Sequence, residues 1–120
     1  MTNFVEDAKR TESIQFNINS KDDQRLIHAA FGLCTEAGEF ADAVKKYVFY
    51  GSKLDIVNLK EEMGDIFWYL AIAADALGTT FDEEQRRVID KLKTRYPEKF
   101  TQEAAENRDL ETERKVLEKR

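Results

Sequence analysis

Two acidic pairs are the part of this sequence whose residue types and spacing could do chemistry. Glu36 and Glu39 form the first pair, and Glu62 and Asp65 form the second. Residues three apart stand on one side of a helix, about one turn from each other. Four carboxylates in one cleft repel one another unless they are protonated or bind cations, and oxygen-rich sites of this kind suit Mg²⁺ or Mn²⁺. The pairs therefore indicate a candidate metal site.

The alternative interpretation of these acids is a solvated helix surface, since 24 of the 120 residues are acidic. For one pair alone that interpretation is preferred, but two pairs on consecutive helices beside apolar stripes favour the metal site. A di-iron bundle is the rival metal site, and it requires Glu-x-x-His motifs. The single histidine, His28, does not stand three residues after a glutamate, so this rival is weak.

Two long helices are predicted to carry the acidic pairs. The first has Ser20 as its N-cap with Asp23 three residues later, which is a capping-box arrangement, and it ends at Gly51. The second starts near Asp55 and ends at Gly78. Two arms of similar length join Glu39 and Glu62 to the turn near Gly51 to Leu54, so at ~1.5 Å per residue an antiparallel hairpin brings the two pairs to one level.

Apolar residues at spacings of three and four mark a stripe on each of the two helices. On the first helix the stripe expected to be buried consists of Leu26, Ala30, Leu33, Ala37, Ala41, Val44 and Val48. On the second helix the segment IFWYLAIAA, which follows Asp65, is apolar on every side. A single small chain can hardly cover that surface, so we expect a homodimer or homotetramer with this segment in a subunit interface.

The remaining segments are also predicted to be helical, which makes the fold class all-α. A short helix over Thr2 to Thr11 precedes an irregular connection, and a helix from Phe81 towards Tyr96 is ended by Pro97. The charged segment 101–120 carries few apolar residues and is expected to be one helix that docks weakly or frays. A chain of 120 residues fits a single domain over residues 1–120.

The composition and charge of the chain argue against several classes of function. The net charge of -5 makes a long basic surface for DNA or RNA unlikely. The longest apolar run is too short to cross a bilayer, and the polar N-terminus has no secretory apolar region, so we expect a cytoplasmic protein without a membrane partner. Cys34 is the single cysteine and is expected to be an inert core thiol.

The stretches GLCTEAGEFADAVKK and LKEEMGDIFWYLA contain the two acidic pairs, and KLKTRYPEKF follows near the end of the fourth predicted helix. Together they resemble the MazG-like members of the all-α nucleoside triphosphate pyrophosphohydrolases. The resemblance covers most of the chain. It implies a helical domain in dimers or dimers of dimers that hydrolyses a nucleoside triphosphate to a monophosphate and pyrophosphate with Mg²⁺.

The resemblance also implies roles for individual residues. Glu36, Glu39, Glu62 and Asp65 would be the metal ligands and the catalytic carboxylates. Lys91 and Arg95 match a basic K-x-x-x-R pair and would bind the substrate's triphosphate, while Val88 stands where many relatives have asparagine. A single histidine such as His28 is more often a surface or packing residue than a ligand, and a role in the base pocket is the less favoured interpretation. The alternative function is a helical oligomeric module that binds metal or nucleotide without turnover.

Overall fold

The computed structural model describes residues 3–119 and contains six helices in that range. They are α1 (Phe4–Lys9), α2 (Lys21–Tyr50), α3 (Ile56–Leu77), α4 (Phe81–Arg95), α5 (Gln102–Glu106) and α6 (Leu110–Glu118). Residues 3–119 contain no strand, so the predicted all-α fold class is confirmed.

The ends of the long helices follow from their capping residues. Ser20 accepts a hydrogen bond from the Asp23 amide, and the Asp23 carboxylate accepts one from the Ser20 amide, which completes the predicted capping box. Gly51 and Gly78 end α2 and α3 with φ of 69° and 73°, a left-handed backbone that glycine adopts without a Cβ clash. Asp55 caps α3 by accepting from the Asn58 amide. The predicted limits of both helices are therefore confirmed.

Two other segments differ from the sequence-based expectation. The first helix is shorter than Thr2 to Thr11, beginning after the cap Asn3, and Thr2 lies outside the described residues. The prediction of one C-terminal helix is wrong, because α5 and α6 are separated by residues 107–109. Asn107 ends α5 with its side chain bonded to a carbonyl, and Asp109 caps α6. Short amide and carboxylate side chains favour such breaks because they hydrogen-bond the local backbone.

The helix α2 packs along α3, and the contacts between them run in opposite residue order. Arg25 near the start of α2 pairs with Asp75 near the end of α3, at 2.6 Å between Nη2 and Oδ2. Further along α2, Gly32 lies against the Tyr69 ring. These contacts set the height of the acidic residues that follow on α2 relative to those that precede Tyr69 on α3.

The face of α2 that packs on α3 is displaced from the predicted stripe. Ala29 and Gly32 are the buried residues of α2, because small side chains allow the two helices to approach closely. Four stripe members expected to be buried are exposed in this chain, namely Ala30, Ala37, Ala41 and Val48. Cys34 is exposed as well, so its prediction as a core thiol is wrong. Spacing alone identified a stripe but not the neighbour that covers it.

The described chain encloses very little apolar core. Ala29 is its one fully buried apolar residue, while Phe67 and Trp68 on α3 remain about half exposed at 52% and 53%. The radius of gyration is 19.9 Å, whereas a compact domain of this length has about 14 Å. The total accessible surface is 10189 Å², and a compact monomer of this mass exposes about 6,700 Å². The chain thus exposes about 3,500 Å² more than a self-contained domain would.

None of the helices between residues 3 and 119 has the length and apolar character needed to cross a bilayer.

Candidate active site

Three carboxylates converge where α2 lies beside the first half of α3. Glu36 from α2 and Glu62 and Asp65 from α3 each offer one oxygen, and these oxygens all lie within 4.8 Å of one another. Glu62 is buried, at 7% exposure, while Glu36 and Asp65 are half-buried. We call Glu36, Glu62 and Asp65 the acidic cluster. Two acids come from one turn of α3, and the third faces them from α2.

The fourth predicted ligand, Glu39, lies at the edge of the acidic cluster. Its side chain is exposed and is not among the three that converge within 4.8 Å. It is nevertheless a neighbour of Glu62, since its charge and hydrogen bonding contribute to the raised pKa of that carboxyl. The residue stands one turn after Glu36 on the same side of α2, as the spacing of three residues predicts.

The acidic cluster contains two buried oxygens without partners. Glu36 Oε2 and Glu62 Oε2 have no hydrogen-bond partner in the described structure, although burying an unpartnered carboxylate oxygen carries a large desolvation penalty. Hydrogen bonding with Glu36, followed by burial and the charge of Glu39, raises the pKa of Glu62 to about 7. Without a cation, therefore, Glu62 takes up a proton more readily than an ordinary carboxyl group does.

This donor set fits a hard divalent cation. All the converging atoms are carboxylate oxygens, which are the ligands that Mg²⁺ and Mn²⁺ prefer. Within residues 3–119 no lysine or arginine forms an ion pair with Glu36, Glu39, Glu62 or Asp65. A bound cation would supply the missing positive charge and would give the two unpartnered oxygens a ligand.

The two cations predicted to bind substrate differ in their surroundings. Lys91 is half-buried on α4 and forms no ion pair with any residue from 3 to 119. Arg95, one turn further on, donates from Nε and Nη2 to both carboxylate oxygens of Glu113, at 2.7 and 3.1 Å. Glu113 lies on α6 and was not predicted to have any role. It is one acid within a highly charged segment, and nothing in its spacing distinguishes it from its neighbours.

His28 lies on the exposed side of α2, beside two aromatic residues of α3. Its ring meets the Trp68 ring edge-on at 6.0 Å between centroids, and the Tyr69 ring at 5.6 Å. The histidine precedes Glu36 by two helical turns, about 12 Å along the axis of α2. It is therefore outside the acidic cluster.

Comparison with known proteins identifies the family. The model of the MazG nucleotide pyrophosphohydrolase domain matches residues 24–100. This chain belongs to the MazG family. It is also similar to the Gene 37 protein of Mycobacterium phage L5, with 32% identity over 89 residues that cover 69% of this chain and 76% of the phage protein. No solved structure is significantly similar to the chain.

The MazG match includes the predicted site residues but not the C-terminal helices. All four predicted carboxylates, together with His28, Lys91 and Arg95, lie inside residues 24–100. The helices α5 and α6, which include Glu113, lie beyond the match. Glu113, which forms the ion pair with Arg95, therefore lies in a segment outside the MazG match.

Proposed function

We propose that this chain hydrolyses a nucleoside or deoxynucleoside triphosphate to the monophosphate and pyrophosphate, using Mg²⁺ held by Glu36, Glu39, Glu62 and Asp65. Mn²⁺ would be a substitute. The observation that carries the proposal is the convergence of three carboxylates with two unpartnered buried oxygens. Membership of the MazG nucleotide pyrophosphohydrolase family supports the same reaction class. Removal of unwanted nucleotides is the role that suits this activity.

In this mechanism a water attacks the α-phosphorus, the bond from that phosphorus to the bridging oxygen breaks, and pyrophosphate leaves. A carboxylate of the acidic cluster accepts the proton of the attacking water. When bound, the divalent cation neutralises phosphate oxygens and orients the water.

Substrate binding is assigned to residues outside the acidic cluster. Lys91 and Arg95 carry positive charge on one side of α4 and suit the triphosphate. His28 and the neighbouring Trp68 offer ring faces and edges suited to a base. Because the net charge of the chain is -5, these local cations matter for attracting a polyanionic substrate.

A second copy of the chain completes the domain in this proposal. An apolar groove of about 390 Å³ lies between α3 and α4, with walls that include Phe67, Leu70, Phe81 and Val88. The excess exposed surface is about 3,500 Å² per chain, or about 7,000 Å² for two chains, which is more than enough to form an obligate homodimer interface of about 2,000–5,000 Å² in total. We therefore propose that the antiparallel α2–α3 hairpin and this groove pack against another subunit in a homodimer or homotetramer.

The experiment compares Asp65→Asn and Glu39→Gln with Glu61→Gln. Glu61 is an exposed carboxylate next to Glu62, so its amide variant removes one charge without touching the acidic cluster. The first two variants should lose Mg²⁺-dependent turnover and bind Mn²⁺ more weakly in a calorimetric titration, with unchanged helical circular dichroism. Glu61→Gln should behave as wild type.

Wild-type activity in Asp65→Asn or Glu39→Gln would contradict the assignment of these ligands. If the wild-type protein bound a nucleotide tightly but turned over none of a panel of NTPs and dNTPs, the non-catalytic module would be supported instead.

A further inference from the structure

Residues 101–119, which we call the C-terminal arm, contact α4 through one buried ion-pair cluster. Glu113 is 3% exposed and accepts hydrogen bonds on both carboxylate oxygens. Arg95 of α4 contacts both oxygens, and Arg108 of the arm itself donates from Nη2 to Oε2 at 2.8 Å. This is the most deeply buried charged contact between the MazG domain and the arm.

The contact between Arg95 and Glu113 uses the same geometry that binds phosphate. An arginine presents two parallel N–H groups that match the two oxygens of a carboxylate or of a phosphate. In this chain the Nε and Nη2 donors of Arg95 are both directed at Glu113. The side chain of Arg95 is 15% exposed, so little of its surface is open to another ligand while Glu113 is in place.

The remaining contacts of the arm are weak. Val116 and Leu117 of α6 are half-buried against α4, and Leu110 is 60% exposed. α5 has five residues and no buried side chain. Segments with few buried apolar contacts open at low free energy. Arg108 belongs to the arm, so Glu113 keeps one arginine partner when the arm leaves α4.

We propose that Arg95 is an anion site that Glu113 occupies in the nucleotide-free chain and that the substrate's triphosphate takes over, which makes the C-terminal arm an autoinhibitory element. The identity of the anion rests on the proposed function. A triphosphate carries several negative charges against the single charge of Glu113, so it competes well for the guanidinium. The two arginines hold the pKa of Glu113 near 2, so the carboxylate stays charged at every working pH and release depends on the ligand.

The test measures binding of inorganic tripolyphosphate by calorimetry in the presence of a chelator, which removes the contribution of divalent metal. Glu113→Gln should bind tripolyphosphate about tenfold more tightly than wild type, which is the gain expected when the docked arm leaves about one wild-type molecule in ten competent to bind. The matched control is Glu111→Gln, which removes the same charge from α6 at an exposed side chain that reaches Lys115 at 3.8 Å. The control should bind like wild type, and adding Arg95→Gln to Glu113→Gln should abolish the gain.

Hydrogen exchange on the unaltered protein gives a second readout that does not depend on how the variants fold. Saturating tripolyphosphate should accelerate exchange of the α6 amides while leaving those of α2 and α3 protected. Equal affinities in Glu113→Gln and Glu111→Gln, absence of binding, or unchanged exchange in α6 at saturation would each overturn the proposal. If the arm is displaced but no nucleotide is hydrolysed, the proposed function fails and the anion site stands.

Discussion

Replacing Gly32 by alanine should destabilise this protein, whereas the same replacement at Gly38 should stabilise it. A Cβ at Gly32 would overlap the Cδ1, Cε1 and Cζ atoms of the Tyr69 ring. That ring cannot move aside freely, because it packs edge-on against Trp68 at 5.0 Å and against His28 at 5.6 Å. A Cβ at Gly38, two turns further along α2, meets nothing within 4 Å.

The magnitude follows from two opposing effects. Alanine is favoured over glycine inside a helix by about 1 kcal/mol, and this gain applies at both positions. At Gly32 it is opposed by overpacking, which costs about 1–3 kcal/mol and belongs at the upper end here, since the α2–α3 contact must separate. We expect Gly32→Ala to lower the free energy of unfolding by about 1–2 kcal/mol and Gly38→Ala to raise it by about 0.5–1 kcal/mol.

The assay is urea unfolding followed by circular dichroism at one fixed protein concentration, because the proposed assembly would make apparent stability depend on concentration. A Gly32→Ala protein as stable as wild type would refute the close approach of α2 and α3 at Tyr69. A destabilised Gly38→Ala would instead indicate that a ligand or another subunit lies against Gly38. That outcome would leave the argument about Gly32 unaffected.

Three further predictions concern charge and assembly. Hydrogen bonding with Glu36, burial and the charge of Glu39 raise the pKa of Glu62 from 4.5 to about 7. Between these two pH values the folded, metal-free protein therefore binds a proton at Glu62 more strongly than the unfolded chain does. Its free energy of unfolding should therefore fall as pH rises through that window, and Glu62→Gln should flatten the profile in urea titrations. Lys91→Ala should raise KM for the nucleotide about tenfold to 100-fold through loss of a charge-assisted hydrogen bond, while Lys93→Ala, an exposed control on the same helix, should not. Trp68→Glu should dissociate the proposed oligomer or unfold the chain in light scattering, by placing an unpaired charge in the proposed interface. An unchanged molecular mass would exclude Trp68 from that interface.

Much of the fold could be predicted because the responsible signals are local. Ser20, Gly51, Asp55 and Gly78 act through hydrogen bonds or backbone conformation within a few residues, and the structure confirms the helix ends that they predict. The overall composition of the charged segment does not reveal the break at residues 107–109, because the signal for it lies in single residues. Asn107 and Asp109 carried the local signal for that break.

The site was predictable in part for a similar reason. Two acidic pairs on consecutive helices predicted that their carboxylates meet, and the structure brings Glu36, Glu62 and Asp65 together, with the exposed Glu39 outside this group. The face of α2 covered by α3 could not be derived from periodicity, because Ala29 and Ala30 are equally apolar and the outcome depends on the partner. The contact between Arg95 and Glu113 joins residues 18 positions apart, and a sequence rich in both charges offers many equivalent pairings.

The central claim is that the acidic cluster serves attack of water on the α-phosphorus, and hydrolysis in ¹⁸O-labelled water tests it most directly. The wild-type protein, incubated with Mg²⁺ and a nucleoside triphosphate that it turns over, should give a labelled monophosphate and unlabelled pyrophosphate in mass spectra. Asp65→Asn should give neither product. Label in the pyrophosphate, or labelled inorganic phosphate with a nucleoside diphosphate left behind, would mean attack at the β- or γ-phosphorus and would contradict the account.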